Sequence, residues 1–277
     1  MEYKGEDDIT GVPLVICSPE HLGRGVTFTQ IDDCTVELIV HYPATKWDIE
    51  MLEQAIRDIC TALGTDCFIK EETEEYTLAD LKELMQQQKK MCAHLVKEDL
   101  EPGLTVFGCF YPIQLEDSFL KRIDEAPIGQ VLNLYAEYLH EKQKEDRYYS
   151  WPHLFETEDG YIARYPLFYN VPSIFPLEKG LPFGVDQSKK DQIIRWTVWL
   201  WDNEGKEILE EVPLDQFVQM LDLGQAHAFD AAHCYITLNR YILDKVKEYR
   251  VQEADGICSI GCVILTNWAE NPLKFSM

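Results

Sequence analysis

Two predicted β-hairpins, one in each half of the chain, constrain the fold more than any other feature of the sequence. In the first, residues 25–30 and 34–42 are β-rich runs joined by a short polar turn, and Val36, Leu38 and Val40 alternate with mostly polar neighbours. In the second, residues 193–201 alternate ahead of a turn-forming run. Period-two alternation is typical of a strand with one buried face, and a short turn between such strands predicts antiparallel pairing.

Helical spacing of apolar residues occurs between and after the hairpins. Thr45 and Asp48 have the spacing of a capping box, and Gly64 suits the end of the helix that they begin. Further helices are predicted over residues 77–96, 127–139, 213–224 and 234–249, and further strands over residues 67–70, 104–113 and 256–268. Because strands and helices do not follow a strict βαβ order, the sequence predicts an α+β fold with largely antiparallel sheets packed with amphipathic helices.

A charged run at residues 140–147 predicts a boundary between an N-terminal half, 1–147, and a C-terminal half, 148–277. The second half opens with residues 148–183, which contain five prolines and ten aromatic residues. Proline cannot donate a hydrogen bond to a sheet, so this composition predicts a long, packed, irregular segment rather than a central strand.

The chain is strongly acidic, with 25 basic and 49 acidic residues and a formal charge of −24. This charge disfavours nucleic acid and anionic membranes as partners and favours a basic protein, although acidity that only confers solubility is the alternative. No apolar run approaches the roughly 20 residues of a membrane-spanning helix. Nine scattered cysteines and an acidic start without an apolar leader predict reduced thiols in a cytoplasmic protein.

The run GQAHAFDAAHC concentrates His227, Asp230 and His233, which are weak candidates for catalysis. With Cys258 and Cys262 the two histidines are also weak candidates for a zinc site, although strand cysteines four positions apart lie roughly 13 Å apart, too far for one zinc without a bend. The alternative is that these side chains are core or hydrogen-bonded residues. No P-loop, dinucleotide-binding, nucleophile-elbow or zinc-protease motif occurs, so no metal or other cofactor is predicted.

The candidate binding residues are aromatic or acidic. Trp199 and Trp201 fall on the more polar face of their predicted strand, and with Trp151 they are candidate anchors for a partner. The alternative is that both faces of the sheet are covered and the tryptophans belong to the core. The candidate steering charges are Glu71, Glu72, Glu74 and Glu75.

In its bulk properties the chain resembles bacterial immunity and inhibitor proteins, which are compact, acidic and without catalytic motifs. This likeness implies a non-enzymatic cytosolic protein that binds a basic partner, and it transfers no site residue. The second hypothesis is a hydrolase with a pocket between the two halves that includes His227, Asp230 and His233. A third is a structural subunit of a larger assembly, which a large exposed apolar patch would favour.

Overall fold

The computed structural model describes residues 11–70, 74–181, 185–221 and 227–254. These residues form α-helices and largely antiparallel β-sheets, which confirms the predicted α+β class. The elements of the first half are β1 (Leu14–Ser18), β2 (His21–Gln30), β3 (Val36–Val40), α1 (Lys46–Leu63), β4 (Cys67–Lys70), β5 (Glu74–Thr77), α2 (Leu81–Glu98), β6 (Thr105–Phe107), β7 (Pro112–Gln114), α3 (Asp117–Glu125) and α4 (Ile128–Gln143). Those of the second half are β8 (Tyr148–Tyr149), β9 (His153–Thr157), β10 (Gly160–Phe168), β11 (Pro172–Pro176), a 3-10 helix (Gln187–Gln192), β12 (Ile193–Trp201), β13 (Ile208–Pro213), α5 (Leu214–Met220), β14 (His227–Ala228), β15 (His233–Thr237) and α6 (Arg240–Ala254).

The first predicted hairpin is confirmed as β2–β3, which belongs to a three-stranded sheet of order β1-β2-β3. The capping box is confirmed as well, because the Thr45 and Asp48 side chains each accept a hydrogen bond from the other residue's backbone N–H. Gly64 follows α1 with φ 69°, a left-handed conformation that glycine adopts readily. The Asp48 carboxylate also accepts from the backbone N–H of Gly25 at 2.8 Å, so the start of α1 is fastened to β2.

The second predicted helix begins later than its sequence pattern indicates. The Asp80 carboxylate accepts from the Thr77 backbone N–H at 3.0 Å and from its hydroxyl at 2.7 Å, and this closes a turn ahead of α2. Gln88 interrupts the apolar spacing of the helix. It is nevertheless buried, and its amide oxygen accepts from the Tyr42 hydroxyl at 2.6 Å.

The single strand predicted over residues 104–113 is wrong, because this segment is the hairpin β6–β7. The Gly108 N–H donates to the Tyr111 carbonyl at 2.9 Å where the chain reverses. A Cβ atom at Gly108 would lie 2.2 Å from Gln143 Oε1, so no larger residue fits without displacing that side chain. Apolar residues on both arms obscure the turn in the sequence. The short helix α3 that follows was not predicted either.

The irregular segment predicted over residues 148–183 is wrong for its described part, which holds β8, β9, β10 and β11. β10 lies inside the sheet of order β13-β12-β10-β9. Its Pro166 is accommodated because β9 pairs with β10 only as far as Arg164, and beyond that point the β9 side needs no backbone donor. Pro172 and Pro176 are the first and last residues of β11.

The second predicted hairpin is confirmed as β12–β13, and β12 also pairs in parallel with β10. Val198 and Leu200 are fully buried on one face of β12, as predicted, whereas Trp199 and Trp201 are half-buried on the other. Pro213 precedes α5, also as predicted.

The helix predicted from residue 234 is wrong at its start. Residues 233–237 are β15, which lies between β14 and β11 in the sheet of order β14-β15-β11-β8. Pairing with β11, which is distant along the chain, selects the extended conformation there, and α6 begins only at Arg240. The strand predicted over residues 256–268 lies outside the described residues.

Two clusters of buried apolar residues form the core. The first lies among α1–α4 and the β6–β7 hairpin, and it includes Ile174 and Phe229 from the second half. The second lies between the sheets of the second half and the helices α5 and α6. The boundary at residue 147 stays a prediction. Within the described part of the chain, no helix is both long enough and apolar enough to cross a bilayer.

Candidate functional site

A cleft of about 430 Å³ is formed where the β6–β7 hairpin meets the second half of the chain. Five segments wall it: this hairpin, the turn between β8 and β9, β10, the residues after β11, and the turn that leads into β15. The lining residues include Gln114, Tyr149, Trp151, Tyr165 and His233. A mainly apolar concavity of this size with a few convergent polar groups suits a small molecule or a short segment of another protein.

Trp151 is held at the cleft by a rigid backbone. The preceding residue, Ser150, is buried. Its N–H donates to the Ile174 carbonyl at 2.9 Å and its hydroxyl to the Pro166 carbonyl at 2.8 Å. The half-buried Trp151 ring packs on Tyr149 with 4.8 Å between ring centroids. The indole of Trp151 is therefore already fixed at the cleft, and no loop has to become ordered before it can contact a ligand.

The segment after β11 is tied down by Tyr165. The Tyr165 hydroxyl donates to the Gly180 carbonyl at 2.9 Å and accepts from the Gly180 N–H at 3.1 Å. Burial raises the pKa of Tyr165 to about 12, so the hydroxyl stays protonated and keeps donating at neutral pH. Lys179, which precedes Gly180 in this wall, forms an ion pair with Asp215, with 2.6 Å between Nζ and Oδ2.

Asp230 joins the turn before β15 to the β6–β7 hairpin. Its Oδ1 atom accepts from the backbone N–H groups of Ala232 and His233 and from His233 Nδ1, each at 2.8 Å. Its Oδ2 atom accepts from the Gln114 N–H at 2.8 Å. The carboxylate is buried and all of these contacts lie within the protein, so its evident role is to position the cleft wall.

His233 continues this network into the cleft. In the tautomer whose Nδ1–H donates to the carboxylate, Nε2 carries the lone pair, and this atom lies 2.7 Å from the Tyr149 hydroxyl. Burial, aided by the negative charge of Asp230, raises the pKa of Tyr149 far above its ordinary range. Tyr149 is therefore a neutral phenol that donates to the imidazole. Asp230, His233 and Tyr149 form a hydrogen-bonded relay in which a reactive phenolate is disfavoured.

His227 does not join this relay. It is exposed on β14, where it lies opposite Tyr235 on β15. Of the four candidate zinc ligands, Cys258 and Cys262 lie outside the described residues, and His233 has both ring nitrogens hydrogen-bonded. Among the residues that are described, no group of three or more histidine, cysteine or acidic side chains could hold a metal ion. The zinc site stays an untested hypothesis.

Trp199 and Trp201 are not among the residues that line the cleft. Their rings meet at 5.6 Å, Phe155 packs on Trp199 at 5.1 Å, and the Arg164 guanidinium lies 4.3 Å from the Trp199 ring centroid. The Trp199 indole nitrogen is inaccessible to water and has no hydrogen-bond partner. This packing favours the covered-face interpretation for Trp199.

The acidic candidates lie on or beside the β4–β5 hairpin, away from the cleft lining. Glu74 and Glu75 are exposed on β5, and Glu74 accepts from the Tyr76 hydroxyl at 2.8 Å. Glu71 and Glu72 lie outside the described residues. Exposed carboxylates of this kind contribute to the long-range field of the protein without forming a local site.

Sequence reasoning did not identify Tyr149 or Gln114 as site residues. Tyr149 is 84 positions from His233, and no local pattern links the two. Gln114 acts through its backbone N–H, which carries no side-chain signal at all. Two indications were usable. The density of polar residues in residues 224–234 located one wall of the cleft, and the aromatic composition of residues 148–183, which includes the candidate anchor Trp151, located another.

Comparisons with known proteins identify a family but no characterised relative. None of the curated proteins and none of the solved structures matches this chain. A family model described as "Domain of unknown function (DUF4299)" matches residues 2–246, which include every described residue of the cleft. The chain belongs to the DUF4299 family.

Proposed function

We propose that the protein is a non-enzymatic, cytosolic protein-binding module, similar in kind to bacterial immunity and inhibitor proteins, and that its cleft receives a segment of a basic partner. The observation that carries this proposal is Trp151. Its half-buried indole lies on a fixed backbone at the edge of an aromatic cleft. Tryptophans in such positions frequently supply most of the binding energy of an interface.

Three polar side chains beside the cleft, Asp230, His233 and Tyr149, support binding over catalysis because they already satisfy one another. Asp230 accepts only from groups of the protein, and both ring nitrogens of His233 are occupied. A nucleophile or general base has to reach the substrate with a free lone pair. At His233 such a lone pair becomes free only if the Tyr149 hydroxyl moves away from Nε2.

The charge of the chain supports a basic partner. A formal charge of −24 creates a negative potential that attracts cations and repels polyanions, including nucleic acid. Electrostatic attraction of this kind raises the association rate of a positively charged protein and weakens as salt increases. The exposed Glu74 and Glu75 are two of the carboxylates that would contribute.

The test compares three immobilised forms of the full chain: wild type, Trp151→Ala and the matched control Trp201→Ala. Both indoles are half-buried, but only Trp151 lines the cleft. Each form is first shown to be folded by its melting curve, then exposed to a native lysate at low salt and eluted with increasing salt. We expect a basic protein to be retained by wild type and Trp201→Ala and lost from Trp151→Ala.

The retained protein is then purified and its affinity measured directly. Loss of an aromatic anchor costs about 2 kcal/mol or more, so we expect Trp151→Ala to weaken the Kd about 30-fold or more. Equal affinity for Trp151→Ala and wild type would reject the cleft as the binding surface. If no basic protein is retained at any ionic strength, the whole proposal is rejected.

The relay from Asp230 through His233 to Tyr149 supports a second candidate function, hydrolysis, with His233 as the general base. A substrate would have to displace the Tyr149 hydroxyl from Nε2 before water could be activated there. The test is turnover of a panel of esters and phosphate esters by wild type, His233→Ala and the matched control His227→Ala. Activity that survives in His227→Ala and disappears in His233→Ala would favour this function, and an inactive wild type would reject it.

A further inference from the structure

Two cysteines meet on the side of the β6–β7 hairpin that faces the first sheet. Cys17 lies at the end of β1 and Cys109 in the turn of the hairpin, and both flank Gly25 on β2. A Cβ atom at Gly25 would lie 2.9 Å from the carbonyl oxygen of Ile16, the neighbour of Cys17, and 3.6 Å from the Cys109 Cβ. Both are half-buried free thiols. Neither belongs to the cleft lining or to its hydrogen-bonded relay.

The backbone around Cys109 is firmly held. Its N–H donates to the Gly23 carbonyl at 3.1 Å, and the N–H of the next residue, Phe110, donates to Gln143 Oε1 at 2.9 Å. Gln143 is itself buried and donates from Nε2 to the same Gly23 carbonyl at 2.9 Å. The hairpin turn is thereby fixed against β2, which in turn pairs with the strand that carries Cys17.

Gly25 on β2 leaves room for the two thiols to approach. Its φ is +79°, and a Cβ atom there would lie 3.6 Å from the Cys109 Cβ and 2.6 Å from a methyl carbon of Val15. A larger residue at position 25 would clash with β1 and with the hairpin turn and push them apart. The pair is therefore built from a glycine, a fixed turn and a strand end that come together only in the folded chain.

The two thiols differ in reactivity. The Cys109 thiol can donate to Gln143 Oε1, 3.5 Å away, or to Cys17, and hydrogen bonding to Cys17 lowers the pKa of the Cys17 thiol to about 7, against opposing effects of burial and of the Asp48 charge. The same hydrogen bond and burial raise the pKa of Cys109. Burial also raises the pKa of Cys60, Cys92 and Cys234. A thiolate is the nucleophilic form of cysteine, so Cys17 is the attacking member and Cys109 the resolving member of the pair.

We propose that Cys17 and Cys109 form a dithiol site that a hydroperoxide oxidises to an intramolecular disulfide. The Cys17 thiolate attacks one oxygen of hydrogen peroxide, the O–O bond breaks, and Cys17 becomes a sulfenic acid while the departing hydroxide takes a proton to become water. The Cys109 sulfur then attacks the Cys17 sulfur, the S–O bond breaks, and a second water leaves. Two thiols are oxidised and one peroxide is reduced to two waters. A thiol reductant reverses the reaction by exchange.

The disulfide would join β1 covalently to the hairpin whose other side lines the cleft. It closes a long loop of the chain, and such cross-links raise the melting temperature by restricting the unfolded state. This inference does not depend on the proposed protein-binding function.

The experiment uses the reduced full chain, treated with one equivalent of hydrogen peroxide at pH 7, alkylated and digested with trypsin. Cys17 and Cys109 fall in the tryptic peptides 5–24 and 98–121, each of which contains a single cysteine, and Cys34 in peptide 25–46 is the internal control. We expect one cross-linked product of the first two peptides, lighter than their sum by two hydrogen atoms. Oxidation at Cys17 should run about tenfold faster than that of free cysteine, which is only a few per cent thiolate at this pH.

Single variants separate the two steps. In Cys109→Ser, Cys17 should stop at the sulfenic acid, which dimedone traps. In Cys17→Ser, Cys109 should remain a thiol, and Cys34→Ser should behave as wild type. The proposal is overturned if Cys34 is oxidised before Cys17, or if Cys17 is recovered linked to a cysteine other than Cys109 or to a second chain.

Discussion

Asp230→Asn is the substitution that most directly tests how the cleft is held together. The Asp230 carboxylate accepts four hydrogen bonds at 2.8 Å, three on Oδ1 and one on Oδ2, and its side chain has no exposed surface. Asparagine has nearly the same shape but only one oxygen. Its NH₂ group must therefore point at one or more of the N–H donors that the carboxylate now satisfies.

The size of the destabilisation follows from the more favourable of the two orientations of the side-chain amide that Asp230→Asn introduces. If the oxygen remains with the three donors on the Oδ1 side, the Gln114 N–H faces the NH₂ group and is buried without an acceptor, which costs about 1–3 kcal/mol. The three remaining hydrogen bonds lose the assistance of the negative charge, about 0.5–1 kcal/mol each. Part of this loss is offset because a buried charge has been removed. We expect a net destabilisation of about 3 kcal/mol, which lowers the Tm by roughly 6–12 °C for a chain of this size.

The assay is a thermal melt of wild type, Asp230→Asn and the control Asp215→Asn at pH 7. Asp215 pairs with Lys179 at 2.6 Å, but its side chain is 67% exposed, so the same chemical change there should cost no more than about 1 kcal/mol. If Asp230→Asn melts within the range of the control, the four hydrogen bonds do not hold the wall of the cleft and the reasoning is refuted.

Three further changes have defined outcomes. Tyr149→Phe removes a hydrogen bond to the imidazole and should cost about 1 kcal/mol in urea unfolding, and a gain in stability would contradict that hydrogen bond. Gly108→Ala places a Cβ 2.2 Å from a buried amide oxygen and should lower the Tm by several degrees, whereas Gly129→Ala meets nothing within 4 Å and should leave it unchanged or slightly raised. The rate of Cys17 alkylation should rise with pH as the thiolate forms, with a midpoint near 7. In Cys109→Ala this midpoint should move toward the ordinary value of 9. An unchanged midpoint would show that the hydrogen bond with Cys109 does not cause the lowered pKa of Cys17.

Predictions from the sequence succeeded where neighbouring residues determine the structure. The capping box at Thr45 and Asp48 is a contact between residues three apart, and Gly64 ends α1 through its own backbone conformation. The hairpins β2–β3 and β12–β13 likewise join strands that are adjacent along the chain. In each case the physical cause lies within the window over which periodicity can be read.

Two of the failures occur where a distant strand decides the conformation. β15 has apolar spacing that also fits a helix, but β11 pairs along its whole length from Pro172 to Pro176. Pro166 argues against a central strand unless it is known that β9 ends its pairing before that residue. Neither fact can be obtained from local composition, because both depend on which strands become neighbours in the folded chain.

In the candidate site, too, the contacts between residues close in sequence could be predicted, and those between distant residues could not. Asp230 and His233 are three positions apart, and their side chains do meet, whereas Tyr149 and the Gln114 backbone come to them from remote parts of the chain. His227 is as close to Asp230 in sequence as His233 is, yet it lies exposed on β14. A dense run of polar residues can therefore indicate where a site is without indicating which of its members take part.

The walls of the cleft come from both sides of the predicted boundary at residue 147, so the proposed binding of a partner would depend on contact between the two halves. The Asp230–Gln114 hydrogen bond crosses that boundary, and Phe229 is buried in the core of the first half. A partner that contacts both walls can bind only while they are joined. It must therefore stabilise the joined state, by about 2.7 kcal/mol at a concentration of 100 times its Kd. Weakening the junction must in turn weaken the partner's affinity, even where the substituted residue never touches the partner.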